Sequence, residues 1–320
     1  MNKIQSRTWM ISSSLFIGGM FFSPTSANAF NLGDYNLVVF EDLTSNSEVE
    51  GNTFVGGNLN GGSSNYCIKC NAQNNFLPFD GVGLKVVGDI NGNPKSINNG
   101  TDLEYGGSLN AIVNMNGGGS LIQNSDLANE FNLLKNNLLQ TSSDLSQLTS
   151  NSTVDVPGVQ PAAVRFNSSG DDIAVFDIDI SDLFSNRTQQ IELNLNGSNT
   201  AIINVSGTVA NWTQGNMVGG LVTDGVQQKV LWNFYEAESL DFNPAFHGSL
   251  LAPLASLRNG TEIEGSVVVE SFNQQGEIHL PVFTGEIPEA QDVPEPLTIL
   301  GTMTALGIGF SFKKKRNQAE

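Results

Sequence analysis

The chain has 320 residues and a formal net charge of −18, with 14 lysines and arginines against 32 aspartates and glutamates. Such a surface repels nucleic acid and anionic lipid and keeps an exported protein soluble, so no nucleic-acid partner is expected. Apolar residues still make up 39% of the chain. They come in short β-branched runs between glycine and asparagine, which predicts a mainly β fold with many tight turns rather than disorder.

Residues 1–29 read as a signal peptide. Lys3 and Arg7 supply a positive start, residues 9–22 an apolar stretch, and Ala27-Asn28-Ala29 a small-x-small cleavage site, so the mature chain is expected to begin at Phe30. Much of the basic charge lies in this leader and in the last residues, which leaves the segment between them more acidic still.

From Phe30 onward a short pattern recurs: an apolar residue, any residue, glycine, then an apolar strand. Copies occur at Val49-Glu50-Gly51 before Phe54-Val55-Gly56-Gly57, at Leu84 to Ile90, and at Tyr105-Gly106-Gly107-Ser108-Leu109. Two more begin at Phe246 and at Ile263, 17 residues apart. Each unit is a short strand with a corner, where glycine permits φ > 0 or close backbone approach. One such unit cannot bury its apolar face, whereas stacked units can. The pattern therefore predicts a β-solenoid, right-handed β-helix-like, in preference to a β-sandwich with glycine-rich turns.

Cys67 and Cys70 are the only cysteines. In an oxidising envelope a disulfide closing a small loop is the leading reading, with free thiols, or metal or redox work, as alternatives. Redox work would need a thioredoxin-like βαβ context, and zinc about four ligands, for which two distant histidines are a poor supply.

The stretch 125–149 changes period. Leu127, Phe131, Leu134, Leu138, Leu145 and Leu148 recur at helical spacing, with Asn, Gln and Ser opposite and Ser125 or Asp126 placed to cap the start. This predicts one amphipathic helix lying along a β surface. The Ser142-Ser143 interruption and the short length argue against a coiled-coil partner.

Strands resume after Pro157 and Pro161. Residues 173–180 and 191–197 alternate apolar and polar, as half-buried strands do, while 201–207 and 229–237 are more continuously apolar and so more deeply buried. No Pro/Ser-rich linker divides residues 30–290, which read as one domain. Asp171, Asp172, Asp177 and Asp179, with Asp182 nearby, are weak calcium candidates. Calcium takes oxygen ligands, but Asp177 and Asp179 alternate with apolar residues as on a solvated strand face, and no Asp-x-Asp-x-Asp-Gly loop occurs. No other cofactor is implied. His247 and His279 read as satisfied core or edge histidines. Neither a Gly-x-Ser-x-Gly elbow nor a phosphate-cradling glycine loop is present. Acidic residues are plentiful enough for a glycosidase pair, but abundance does not place two at the right separation.

Residues 291–320 form a tail. Pro294, Glu295 and Pro296 precede an apolar run over 297–312, followed at once by Lys313, Lys314, Lys315 and Arg316. Sixteen residues at the helical rise span roughly 24 Å, just short of the roughly 30 Å hydrocarbon core. The run is therefore expected to be a short membrane helix with its basic end in the cytoplasm. This layout resembles the PEP-CTERM sorting signal. That resemblance implies an exosortase-type processing protease as partner, a transient inner-membrane precursor, and a product at the cell surface or outside the cell.

The body in turn is similar to the choice-of-anchor A family over about residues 30–285. Glu50-Gly51, Asn204-Val205-Ser206-Gly207, Leu231-Trp232-Asn233 and Leu251-Ala252-Pro253 are the sharpest blocks, and Cys67 to Cys70 looks like a loop insertion. The resemblance implies an adhesive domain with a solenoid-like body and carries over no catalytic residue. The expected function is a non-enzymatic surface or matrix adhesin for polysaccharide or other surfaces. A polysaccharide-degrading enzyme, or ice or mineral binding, are the alternatives. Only Arg165, Arg187 and Arg258 lie between leader and tail, which disfavours an acidic sugar substrate. Thr53, Thr101, Thr200, Thr208 and Thr261 are scattered and form no Thr-x-Thr ladder.

Overall fold

A computed structural model describes residues 32–70, 80–159 and 162–288. The leader with Ala27 and Ala29, and the tail with Pro294, Glu295, Pro296 and the basic residues 313–316, lie outside the described residues. Among the described residues no helix is long and apolar enough to cross a membrane.

The protein is mainly β, and nearly all of its strands pair in parallel. The largest sheet has a path of ten strands. It runs Leu121–Gln123, Asp102–Tyr105, Val82–Val86, Thr53–Val55, Leu37–Val39, Val267–Gln274, Ser249–Asn259, Val230–Asn233, Thr200–Ser206 and Ile173–Asp179. A second sheet runs alongside it: Val113–Met115, Lys95–Ile97, Ser64–Tyr66, Glu48–Val49, Ile278–His279, Ile263–Glu264 and Phe246–His247. A third, around Ala162–Asn167 and Thr188–Asn194, includes the antiparallel strand Thr153–Asp155.

The chain enters this stack in the middle. Leu37–Val39 lies between Thr53–Val55 and Val267–Gln274, so residues from the two halves of the sequence are direct neighbours. From Leu37 the chain steps outward, rung by rung, to Leu121–Gln123. Helix α1 (Leu127–Ser146) then carries it back along the stack. The remaining strands step inward from Ile173–Asp179 until Val267–Gln274 closes against Leu37–Val39. The sequence copies fall in two groups because this helix separates them.

The central strands of the large sheet, such as Leu37–Val39, Thr53–Val55, Thr200–Ser206 and Val230–Asn233, are buried on both sides, which explains their continuous apolar runs. Leu37 and Val39 face one hydrophobic cluster together with Val55, Trp232 and Val267. Val38, Phe54, Leu231, Leu251 and Val268 face the other, beneath Leu127, Phe131, Leu134, Leu138 and Leu145 of the helix. Phe131 packs edge-on to Phe54 with ring centroids 4.9 Å apart. The helix is 20 residues long, roughly 30 Å at the helical rise. From the rung of Lys85 to that of Asn204 is six strand steps, roughly 29 Å. Helix and stack are matched in length.

Two local details differ from the sequence reading. Asp126 occupies the N-cap position but its side chain makes no cap bond; Asn124 Oδ1 instead accepts the Asp126 N–H at 2.9 Å. The corner glycines Gly88 and Gly107 are required by close approach rather than by positive φ. A Cβ at Gly88 would stand 2.6 Å from the Gly57 carbonyl oxygen, and one at Gly107 would stand 2.5 Å from that of Gly88.

Candidate functional site

The residues that turn the corner after each strand of the large sheet form a further face. Its inward positions are apolar: Leu43, Leu59, Ile90, Leu240, Leu257 and Phe272 all join the main core. Side chains alternate along a strand, so the residue after each of these points outward. Strand register stacks those outward residues in one column. Asn211 pairs with Asp241, Asp241 with Arg258, Arg258 with Asn273, Asn273 with Thr44, and Thr44 with Asn60. The bridges Leu59 to Ile90 and Ile90 to Leu109 extend the column to Asn91 and Asn110. These eight rungs make seven steps, a row roughly 34 Å long at the inter-strand spacing.

Both ends of the row are held by hydrogen bonds between its members. Asn91 Nδ2 donates to Asn60 Oδ1 at 3.0 Å, and Asn110 Nδ2 donates to Asn91 Oδ1 at 2.8 Å. A parallel row fixes the corner. Asp42 Oδ1 accepts the Asn58 N–H at 2.7 Å, Asn58 Oδ1 accepts the Asp89 N–H at 2.9 Å, and Asp89 Oδ1 accepts the Ser108 N–H at 2.7 Å. At the other end Arg258 Nη1 donates to Asp241 at 2.9 Å and to Asn243 at 3.2 Å. An amide spends one N–H on its neighbour and keeps a second N–H and a carbonyl lone pair. Across Asn60, Asn91 and Asn110, and at Asp241 and Arg258, the surface is thus an ordered set of donors and acceptors held in place by hydrogen bonds, which lowers the entropy cost of binding.

The sequence analysis did not identify the residues that compose this face. A signal was available. Gly57-Asn58-Leu59-Asn60, Gly88-Asp89-Ile90-Asn91 and Gly107-Ser108-Leu109-Asn110 share a glycine, polar residue, apolar residue, asparagine pattern. Of the threonines considered from sequence, Thr53, Thr101 and Thr200 are buried and none stands in the row, whose one threonine is Thr44.

The second sheet carries a different column. His247, Glu264 and His279 sit on successive rungs, and Glu50 follows Val49 on the next. Both histidines of the chain therefore meet at Glu264, which the sequence did not reveal. His247 Nδ1 lies 2.8 Å from Glu264 Oε2, and His279 Nδ1 lies 3.9 Å from Glu264 Oε1. His279 Nε2 lies 2.7 Å from Glu277. His247 and then His279 hold the Glu264 carboxyl well below the ordinary range, against the opposing effect of burial. Glu264, and more weakly Glu277 and Glu50, raise His279 to about 9 although burial works the other way. Glu50 is buried and accepts the Leu280 N–H at 2.9 Å, and Lys69 lies 2.5 Å from it.

A cleft of about 430 Å3 opens beside these groups, lined by Glu50, Lys69, Asp224, Gln227, Glu264 and Leu280. Glu50, buried, and Glu264, partly buried, are already committed to internal partners. A glycosidase general acid needs a raised pKa, and Glu264 is shifted in the opposite direction.

Cys67 and Cys70 are joined as a disulfide with Cα atoms 4.9 Å apart, both buried. The four aspartates weighed for calcium are spent separately. Asp171 accepts from Ser169 at 2.8 Å and Asn151 at 3.2 Å, and Asp172 bonds Asn199. Asp177 points out from its strand, and Asp179 accepts the Ser181 N–H at the start of a short helix. Among the described residues no three His, Cys, Asp or Glu side chains converge as a metal site would require.

Fold and surface together define a class: parallel-β proteins that present a long, ordered polar face. More specifically, the chain belongs to the family described as "Putative Ice-binding-like adhesive domain", whose model matches residues 30–280. No curated protein and no solved structure matches the chain.

Proposed function

We propose that the protein is an exported, non-enzymatic adhesin whose parallel rungs wind as a β-solenoid and whose asparagine row binds neutral polysaccharide. The observation that carries this reading is the ordered row from Asn211 to Asn110. A polysaccharide chain repeats hydroxyl donors and acceptors along its length, and a periodic array of fixed amides can meet several of them at once. The strongly acidic body disfavours an acidic glycan. Membership of an adhesive-domain family supports the same reading. In this reading the tail acts only in delivery. Residues 297–312 hold the precursor in the inner membrane, the basic residues 313–316 fix its orientation, and processing near Pro294-Glu295-Pro296 sends the acidic body to the surface. Proline on both sides of Glu295 disfavours helix there and keeps the segment open to a protease.

The test is co-sedimentation of the purified protein with insoluble neutral and acidic polysaccharides, compared with an Asn91→Ala, Asn110→Ala double variant. These side chains face outward, so the fold should persist. Removing two hydrogen-bonding positions should weaken binding to a neutral polysaccharide by about tenfold or more. Unchanged binding by the double variant, or preference of the parent for acidic chains, overturns the proposal.

A further inference from the structure

We propose that two copies of this chain join head to head through the end of the stack formed by Val113–Met115 and Leu121–Gln123. These strands are terminal in their sheets, and among the described residues nothing pairs with their outer edges. Nothing among the described residues covers the core there. Leu109, Ala111, Val113 and Met115 are only partly buried against it, while Ile112 is 66% exposed, Leu121 45% and Ile122 38%. Helix α1 begins directly afterward but covers the side of the stack, not this end.

A stack of repeats ordinarily finishes in a polar cap, and exposed edge strands are guarded by charge or proline. Among the described residues the strands at this end carry no charge and no proline. From Tyr105 to Ser125 the chain contains no charged residue and no proline, in a protein of net charge −18. At the opposite end the edge of Ile173–Asp179 is partly covered. Outside Ile173–Asp179, Asn151 and Ser152 donate their backbone N–H groups to the Val175 carbonyl, and Asn151 Oδ1 accepts the Val175 N–H at 2.8 Å.

The occupant that fits is a second copy. Two such acidic molecules repel one another over most of their surfaces, and least where both present these outermost strands, which carry no charge. A two-fold axis lets Leu121–Gln123 pair antiparallel with its own copy, with Ile122 opposite Ile122, so the contact is self-complementary. Because an isologous contact uses the same end of both copies, assembly stops at two.

The test uses the full chain in mild detergent. Sedimentation velocity should show a dimer in the parent protein and a monomer in Ile122→Lys, which buries no charge in the monomer because Ile122 is already exposed. Oxidation of Ile122→Cys should give a covalent dimer on a non-reducing gel. Val209→Cys, exposed elsewhere on the surface, should not. A monomeric parent at tens of micromolar overturns the proposal, as does a dimer that survives both Ile122→Lys and Leu121→Lys. Equal cross-linking through Val209→Cys and Ile122→Cys also overturns it.

Discussion

Asn233 lies fully buried beneath the helix and all of its amide is used. The Ser142 hydroxyl donates to its Oδ1 at 2.6 Å, and its Nδ2 donates to the Ser142 carbonyl and to Asn204 Oδ1, each at 2.9 Å. Asn204 in turn donates to the Leu145 carbonyl at 2.8 Å. Asn233→Ala leaves several of these groups buried without partners, and should destabilise the protein by about 1–3 kcal/mol or more in urea titration. A loss under 0.5 kcal/mol would mean water repairs the site. Histidine 279 offers a second measurement. Its folded pKa of about 9 lies above the ordinary value of 6.5. Its stabilising contribution is therefore complete below about pH 6.5 and disappears as pH rises toward 9. Burial lowers Lys95 to about 8, which acts in the opposite sense above that pH. The comparison is thus between parent and Glu264→Gln. The difference in their melting temperatures should narrow as pH rises from 6.5 to 9, and a difference independent of pH would exclude this coupling. None of these contacts was legible in the sequence. Ser142 looked like an interruption of the helical pattern because its partner is 91 residues away. The histidines looked isolated because strand register, not sequence spacing, brings them together.

At the level of elements the sequence carried more. The spacing of Leu127, Phe131, Leu134, Leu138 and Leu145 locates both the helix and its buried face, because a helix on a sheet buries one stripe. Leu148 continues that spacing just past the helix end and is only partly buried. Residues 201–207 and 229–237 read as deeply buried, and Thr200–Ser206 and Val230–Asn233 are covered on both sides. The strand ends were less legible. Residues 173–180 suggest one strand, yet Ile180 begins a short helix because Asp179 caps it. Phe131 packs against Phe40 and Phe54, and its ring also lies where a Cβ on Gly56 would stand. Phe131→Ala should cost about 3–5 kcal/mol. Leu133, 60% exposed on the other side of the helix, should lose less than about 0.5 kcal/mol on the same change. Equal losses at the two positions would mean that the helix does not rest on this face.

For the molecule as a whole, the repeat pattern revealed stacking but not the order of the stack. The N-terminal strand gives no sign that its neighbour is Val267–Gln274, since parallel pairing over such a distance leaves no local trace. This order has an energetic consequence. A stack of repeats is quasi-one-dimensional, and its halves can melt separately when the interface between them is weak. Here the interface is the seam between Leu37–Val39 and Val267–Gln274, and α1 crosses it. Near its start the helix is fixed to the first half by Phe131 on Phe54 and by Glu130 to Lys85 at 2.8 Å. Toward its end it is fixed to the second half through Ser142 to Asn233 and Leu145 to Asn204. A rigid brace joined to both halves makes opening the seam cost contacts on each side. The protein should therefore unfold in one calorimetric transition, with calorimetric and van't Hoff enthalpies in agreement. Phe131→Ala and Leu145→Ala, which weaken opposite ends of the brace, should each move that whole transition to lower temperature. If either variant instead splits the transition in two, with one part at the parent temperature, the halves are independent and the helix does not couple them.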